Sequence, residues 1–146
     1  MNLMVINGPN INMLGIREPA IYGTETYQDL QDMIKVYCDE KGIAVDFYQS
    51  NSEGDLVSAI QNAWRAQVGG IVLNAAAYTH TSIAILDALK ATAIPAVEVH
   101  ISNVKEREEF RHISRIKEGC IATVEGKGLP GYIEAIDILC AYLQEK

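Results

Sequence analysis

The chain has 146 residues, 49% of them hydrophobic and 21% charged, which suits one soluble globular domain and excludes a disordered chain. Twelve lysines and arginines stand against nineteen aspartates and glutamates, a net charge of −7 that argues against nucleic acid, whose partners carry a basic surface. No stretch approaches the ~18 consecutive apolar residues of a membrane span, and no basic segment leads the apolar run at Met1 as a signal peptide requires, so a cytoplasmic protein with no membrane partner is expected.

Taken in order, the chain alternates short apolar runs with helical patterns. Leu3 to Asn7 predicts a strand that ends in the turn signal NGPN. A long loop, Asn10 to Thr24, contains Gly15, Pro19 and Gly23. Thr26 is placed to cap a helix with Asp29 three residues on, and Leu30, Met33, Ile34 and Tyr37 follow at helical spacing up to Gly42. Ile43 to Gln49 alternates as a second strand, and Glu53 to Gln67 predicts a helix with Leu56, Ile60, Ala63 and Trp64 on one face. Ile71 to Leu73 is a short apolar strand continued by the loop NAAAYTHTS, and Ser82 to Thr92 is a third helix. Pro95 opens a strand from Ala96 to Ile101. The charged stretch KEREEFR, Lys105 to Arg111, predicts a short exposed helix whose charges face solvent, Arg111 excepted. Ile121 to Glu125 is the fifth strand and Gly131 to Gln144 the last helix.

Five strands alternating with helices predict a doubly wound, flavodoxin-like α/β domain, a parallel sheet with helices on both faces. The whole chain, 1–146, forms that one domain. In such sheets ligands bind beyond the carboxyl ends of the strands. Polar side chains gather at those ends: Asn10, Asn12, Arg17 and Tyr22 after the first strand, Asn74, Tyr78, Thr79 and His80 after the third, and Glu98, His100, Ser102 and Arg111 in or after the fourth.

Glu98 and His100 carry the most information. Residues i and i+2 of a strand point to one face, ~6–7 Å apart. A carboxylate beside an imidazole fixes its tautomer and favours its charged form, as a general acid requires. A strand buried on both faces is expected to be nearly all apolar, so two ionisable residues inside VEVH call for a reason.

Other chemistries find less support. Gly126 to Gly131 spells G-x-G-x-x-G but follows the last strand and contains Pro130, so it predicts a tight turn rather than dinucleotide binding. The three cysteines, Cys38, Cys120 and Cys140, have no C-x-x-C spacing and are expected to be small buried thiols. The three histidines have no metal-ligand spacing, and no serine sits in a nucleophile elbow. Acid–base chemistry without a cofactor or metal remains. A flavodoxin-like module that binds a flavin or small anion without turnover is the alternative, since fold does not fix function. Such a module has no need of an acid and a base.

Taken together, NGPNINMLGIREPAIYG (Asn7 to Gly23), LNAAAYTHTSIAILDAL (Leu73 to Leu89), EVHISN (Glu98 to Asn103), REEFRHIS (Arg107 to Ser114) and GKGLPGY (Gly126 to Tyr132) resemble the type II 3-dehydroquinate dehydratases. The resemblance implies a flavodoxin-like fold and a trans dehydration of 3-dehydroquinate to 3-dehydroshikimate through an enolate, a step of the shikimate route. By position it implies Tyr22 as the base and His100 as the acid, with Glu98 orienting His100. Lowering a tyrosine pKa from ~10 to ~7 takes about 4 kcal/mol, which a unit charge ~4 Å away supplies at an effective dielectric of ~20. Arg17 is the implied donor of that charge and stabilises the transition state. Asn12 is implied to hold a water or the enolate oxygen, Ile101 and Ser102 the substrate carboxylate, and Asn74, His80 and Arg111 the ring hydroxyls. Asp87 is implied to reach the site of a neighbouring subunit in a homododecamer of trimers. The loop Leu14 to Thr24 is expected to be a lid. The chain departs from the commoner family pattern at Ser52, Ala75, Ala76, Leu86 and Ile113, none of which is an implied catalytic position.

Overall fold

Side-chain caps start three of the helices. Thr26 accepts from the Asp29 amide while Asp29 accepts from the Thr26 amide, a reciprocal capping box. Ser52 and Ser82 accept from the amides of Asp55 and Ile85. The computed structural model describes residues 1–16 and 19–145, except for the side chains of Ile21 and Tyr22. Its helices are the single turn α1 (Pro19–Tyr22), α2 (Tyr27–Lys41), α3 (Glu53–Arg65), α4 (Ile83–Thr92) and α5 (Gly131–Gln144).

Between them run β1 (Asn2–Asn7), β2 (Ala44–Gln49), β3 (Gly70–Asn74), β4 (Ala96–His100) and β5 (Ala122–Glu125). They form one all-parallel sheet in the order β2-β1-β3-β4-β5. This is the doubly wound, flavodoxin-like order expected from the alternation of elements. Among the described residues no helix is long and apolar enough to cross a membrane.

Period-2 alternation divides even the wholly buried strands between two cores. Leu3, Val5, Val72, Val97, Val99 and Val124 pack with residues of α2 and α5, including Ile34 and Ile136. Ile6, Ile71, Leu73 and Ala96 pack on the other side with residues of α3 and α4, including Ile60 and Leu89. The same alternation sends Glu98 and Thr123 to the α4 side, and the register sets them beside each other across β4 and β5. Glu98 is thus a buried carboxylate on a face that is apolar further back along the strands, at the carboxyl end of the sheet.

Two expectations need correction. KEREEFR is not one helix but two separate 3-10 turns, Val104–Glu106 and Glu109–Arg111. Arg107 between them is extended (φ −103°, ψ −169°), and its carbonyl accepts from His112 Nε2 at 3.0 Å, so the run cannot wind continuously. The loop after β3 is likewise ordered as a 3-10 turn, Ala76–His80. Of the cysteines, Cys38 is buried, while Cys120 and Cys140 are partly exposed.

Candidate active site

The sheet order reverses where β1 meets β3, and the loops leaving these strands part there to leave a crevice. A cavity of about 250 Å³ occupies it. Pro9, Asn10 and Ile11 line it from the β1 end, Asn74, Ala76, Ala77 and His80 from the β3 end, and His100, Ile101 and Ser102 from the β4 end. Val104 and Arg111, from the two 3-10 turns, and Arg107 between them complete the wall. Six of the sequence-predicted residues therefore converge here: Asn74, His80, His100, Ile101, Ser102 and Arg111.

Two arginines, Arg107 and Arg111, make the cavity cationic in a chain whose net charge is −7. Such a pocket favours an anionic ligand over the field of the whole molecule. Glu108 accepts from Arg111 Nε at 3.2 Å and lies 3.8 Å from Arg107 Nε, holding both guanidinium groups at the rim.

Behind the cavity lies the predicted pair. His100 Nε2 donates to Glu98 Oε2 at 2.9 Å, with Glu98 wholly buried and His100 only 7% exposed. That bond settles the ring: Nε2 is committed to the carboxylate, and Nδ1 is the nitrogen left for a ligand. Burial works against the charge of Glu98. Hydrogen bonds from His100, Thr123 and Ser114 outweigh it, and the carboxyl is held below its usual range. His80 is tied differently, its Nδ1 donating to the Ile113 carbonyl at 2.9 Å. Burial depresses its pKa, so Nε2 is available as an acceptor.

The turn Gly126–Gly131 serves this site by another route. Gly126 N–H donates to the carbonyls of His100 and Ser102, and Gly128 N–H to that of Ile101. The turn thus clamps the end of β4, with its glycine amides spent on protein. Gly126 is at φ +76°, and a Cβ there would press on Asn103 at 3.2 Å.

Two other predicted residues, Asn12 and Asp87, do not line the cavity. Asn12 is exposed, and its Oδ1 accepts from Gln49 Nε2 at 3.3 Å. Asp87 is exposed on α4, away from this cavity. Arg17 lies outside the described residues, as does the side chain of Tyr22, whose backbone ends α1.

Four residues escape the reading of the sequence. Arg107, taken for a solvent-facing charge, lines the cavity with its side chain only 11% exposed. Ser114 and Thr123 both bond Glu98. Tyr132, in α5, is wholly buried and bonded to Asn74. Of the four, Thr123 alone carried a signal, a hydroxyl inside a strand whose neighbours are apolar.

A family model described as dehydroquinase class II matches residues 1–140. The chain belongs to that family. Its relatives include a 3-dehydroquinate dehydratase of Fusobacterium nucleatum, 53% identical over 97% of this chain and 98% of that protein. Among solved structures, the type II dehydroquinase of Butyrivibrio crossotus superposes with a TM-score of 0.95 at 55% identity, covering 96% of this chain and 97% of the other. That of Propionibacterium acnes gives 0.91 at 42% identity, with 96% of each chain covered. Dehydroquinase membership makes the chain a hydro-lyase of the dehydratase type.

Proposed function

We propose that the chain converts 3-dehydroquinate to 3-dehydroshikimate with Tyr22 as base and His100 as acid. The observation that carries this reading is the buried Glu98–His100 pair at the wall of the cationic cavity. A pair held only for packing has no reason to stand as an ionisable group at the wall of that space.

The steps follow from the residues. Tyr22, as tyrosinate beside Arg17, takes the proton from the carbon next to the ketone. The resulting enolate is stabilised by a donor at Asn12, directly or through a water, where charge exists only along the reaction. The ring then expels its hydroxyl, which takes a proton from His100 Nδ1 and departs as water. Ile101 and Ser102 hold the substrate carboxylate, with Asn74, His80 and Arg111 on the ring hydroxyls. Glycines with φ +85° and +79° at positions 15 and 23 flank the segment that carries Arg17 and Tyr22. That segment works as a lid that excludes water. Asp87, exposed on α4, completes the site of a neighbouring subunit in a homododecamer. The cellular role is the corresponding step of the shikimate route in the cytoplasm.

The roles are tested by separating binding from turnover. Tyr22→Phe is expected to keep its affinity for a substrate analogue in calorimetry and to lose at least ~100-fold in kcat. His100→Ala should lose turnover to a similar extent. A Tyr22→Phe protein with undiminished kcat would remove Tyr22 from the role of base.

A further inference from the structure

Glu98 presents the strongest unexplained chemistry in the molecule. Its carboxylate is wholly buried, and such a charge persists only when its oxygens are hydrogen-bonded. His100 supplies one bond. Ser114 Oγ donates to Oε2 at 2.9 Å and Thr123 Oγ1 to Oε1 at 2.7 Å. We propose that Thr123 and Ser114 are positioning residues for the acid, their hydroxyls fixing the Glu98 carboxylate that in turn holds His100. The inference rests on the reading of His100 as the acid.

The fold alone does not account for either hydroxyl. Thr123 lies in β5 between Ala122 and Val124, directly beside Glu98 in the β4–β5 register. Valine there would serve the strand equally well, with the same branching and volume. The hydroxyl is needed only by the carboxylate it faces. Ser114 belongs to the segment that follows Arg111. On one side of it the Ile113 carbonyl accepts from His80 Nδ1, and on the other the Arg115 amide donates to the Thr79 carbonyl at 2.7 Å. Ser114 therefore joins Glu98 to the same segment that brings Arg111 to the cavity, whereas the Thr123 hydroxyl bonds Glu98 from within β5.

This difference separates the two residues kinetically. Thr123 acts on turnover alone, Ser114 on turnover and substrate binding together. Several ionisable groups surround Glu98. His100 shares its strand, Cys120 precedes β5 with its thiol pushed up to about 12 by burial and by Glu98, and His80 lies nearby. A smaller cavity of about 90 Å³ that Glu98 lines brings Lys105, Lys117, Arg111, His112 and Glu125 around its wall. The carboxyl of Glu98 sits below its usual range, so loss of a hydroxyl donor must move it upward.

The test compares Thr123→Val, Thr123→Ser and Ser114→Ala in steady-state kinetics with 3-dehydroquinate, and follows the Glu98 carboxyl carbon by NMR through an acid titration. Thr123→Val is expected to lose about tenfold in kcat, the scale of one hydrogen bond to a charged group, at unchanged KM. The acidic limb of its kcat profile and the Glu98 titration should both move to higher pH. Thr123→Ser should keep most of the activity and the wild-type titration. Ser114→Ala should repeat the loss and raise KM as well. A Thr123→Val protein with wild-type kcat and an unmoved Glu98 titration would overturn the inference, as would Thr123→Ser falling as far as Thr123→Val. The NMR arm needs no turnover. A wild-type chain inert toward 3-dehydroquinate would overturn the proposed function, while a shifted Glu98 titration would still support the positioning.

Discussion

The phenol of Tyr132 fixes the amide of Asn74. Tyr132 Oη accepts from Asn74 Nδ2 at 2.9 Å and donates to Asn7 Oδ1 at 2.6 Å, while Asn74 Oδ1 accepts from the Ala76 amide at 3.0 Å. A helix at the end of the chain thereby orients a side chain of the cavity at the switch point of the sheet. One N–H of Asn74 is left to meet a ligand. Burial also pushes the Tyr132 phenol well above its ordinary value, so this tyrosine stays protonated.

Tyr132→Phe should therefore cost both stability and binding. It leaves Asn7 Oδ1 and Asn74 Nδ2 without their partner in a fully buried place. The expected loss is about 1–3 kcal/mol in urea unfolding, together with a higher KM. Unchanged urea midpoints would mean that the two amides find other partners.

Glu98 predicts a sign for the pH dependence of stability. Its folded pKa is depressed, so its contribution is present above the unfolded value of ~4.3 and is lost as pH falls through the folded value. The stability gap between wild type and Glu98→Gln should be widest above about pH 5 and shrink on acidification. Urea midpoints measured from neutral to acid pH check this, and a gap that grows toward acid would contradict it.

Asp87 allows a test of assembly. Asp87→Ala and Tyr22→Phe should each be nearly inactive alone. Unfolded together and refolded as a mixture, they should regain part of the activity, because hybrid oligomers contain sites with an intact Tyr22 and a neighbour's intact Asp87. No recovery in mixed oligomers would place the action of Asp87 within its own subunit.

The proposed lid makes a prediction of its own. Trypsin cleavage after Arg17, followed by peptide mapping, should slow when a substrate analogue occupies the cavity. Equal rates with and without the analogue would count against closure. Gly15→Ala should impair the enzyme independently, since a Cβ there would stand 2.8 Å from the Thr24 carbonyl at a φ of +85°.

The strand ends, the sheet class and the Glu98–His100 contact were legible because each is a local pattern. VEVH carries two ionisable residues at period 2 inside a buried strand, and the structure joins them at 2.9 Å. What supports the pair was not legible. Ser114 and Thr123 lie 16 and 25 positions from Glu98, and Tyr132 lies 58 from Asn74, so only the folded chain makes them neighbours. Arg107 was hidden by its setting: among five other charges in KEREEFR it looks solvated, and only the extended backbone between two turns brings it inward. The glycines at 126 and 128 were readable as a turn, but not as the clamp on the end of β4.

The central claim, dehydration by Tyr22 and His100, is tested most directly by mixing the purified protein with 3-dehydroquinate and following the ultraviolet absorbance of the conjugated enone. Parallel samples contain a chelator and borohydride, and a third uses Tyr22→Phe. The account predicts a rise that neither treatment alters and that Tyr22→Phe nearly abolishes. No rise from mildly acid to alkaline pH, or an undiminished rise with Tyr22→Phe, would contradict it.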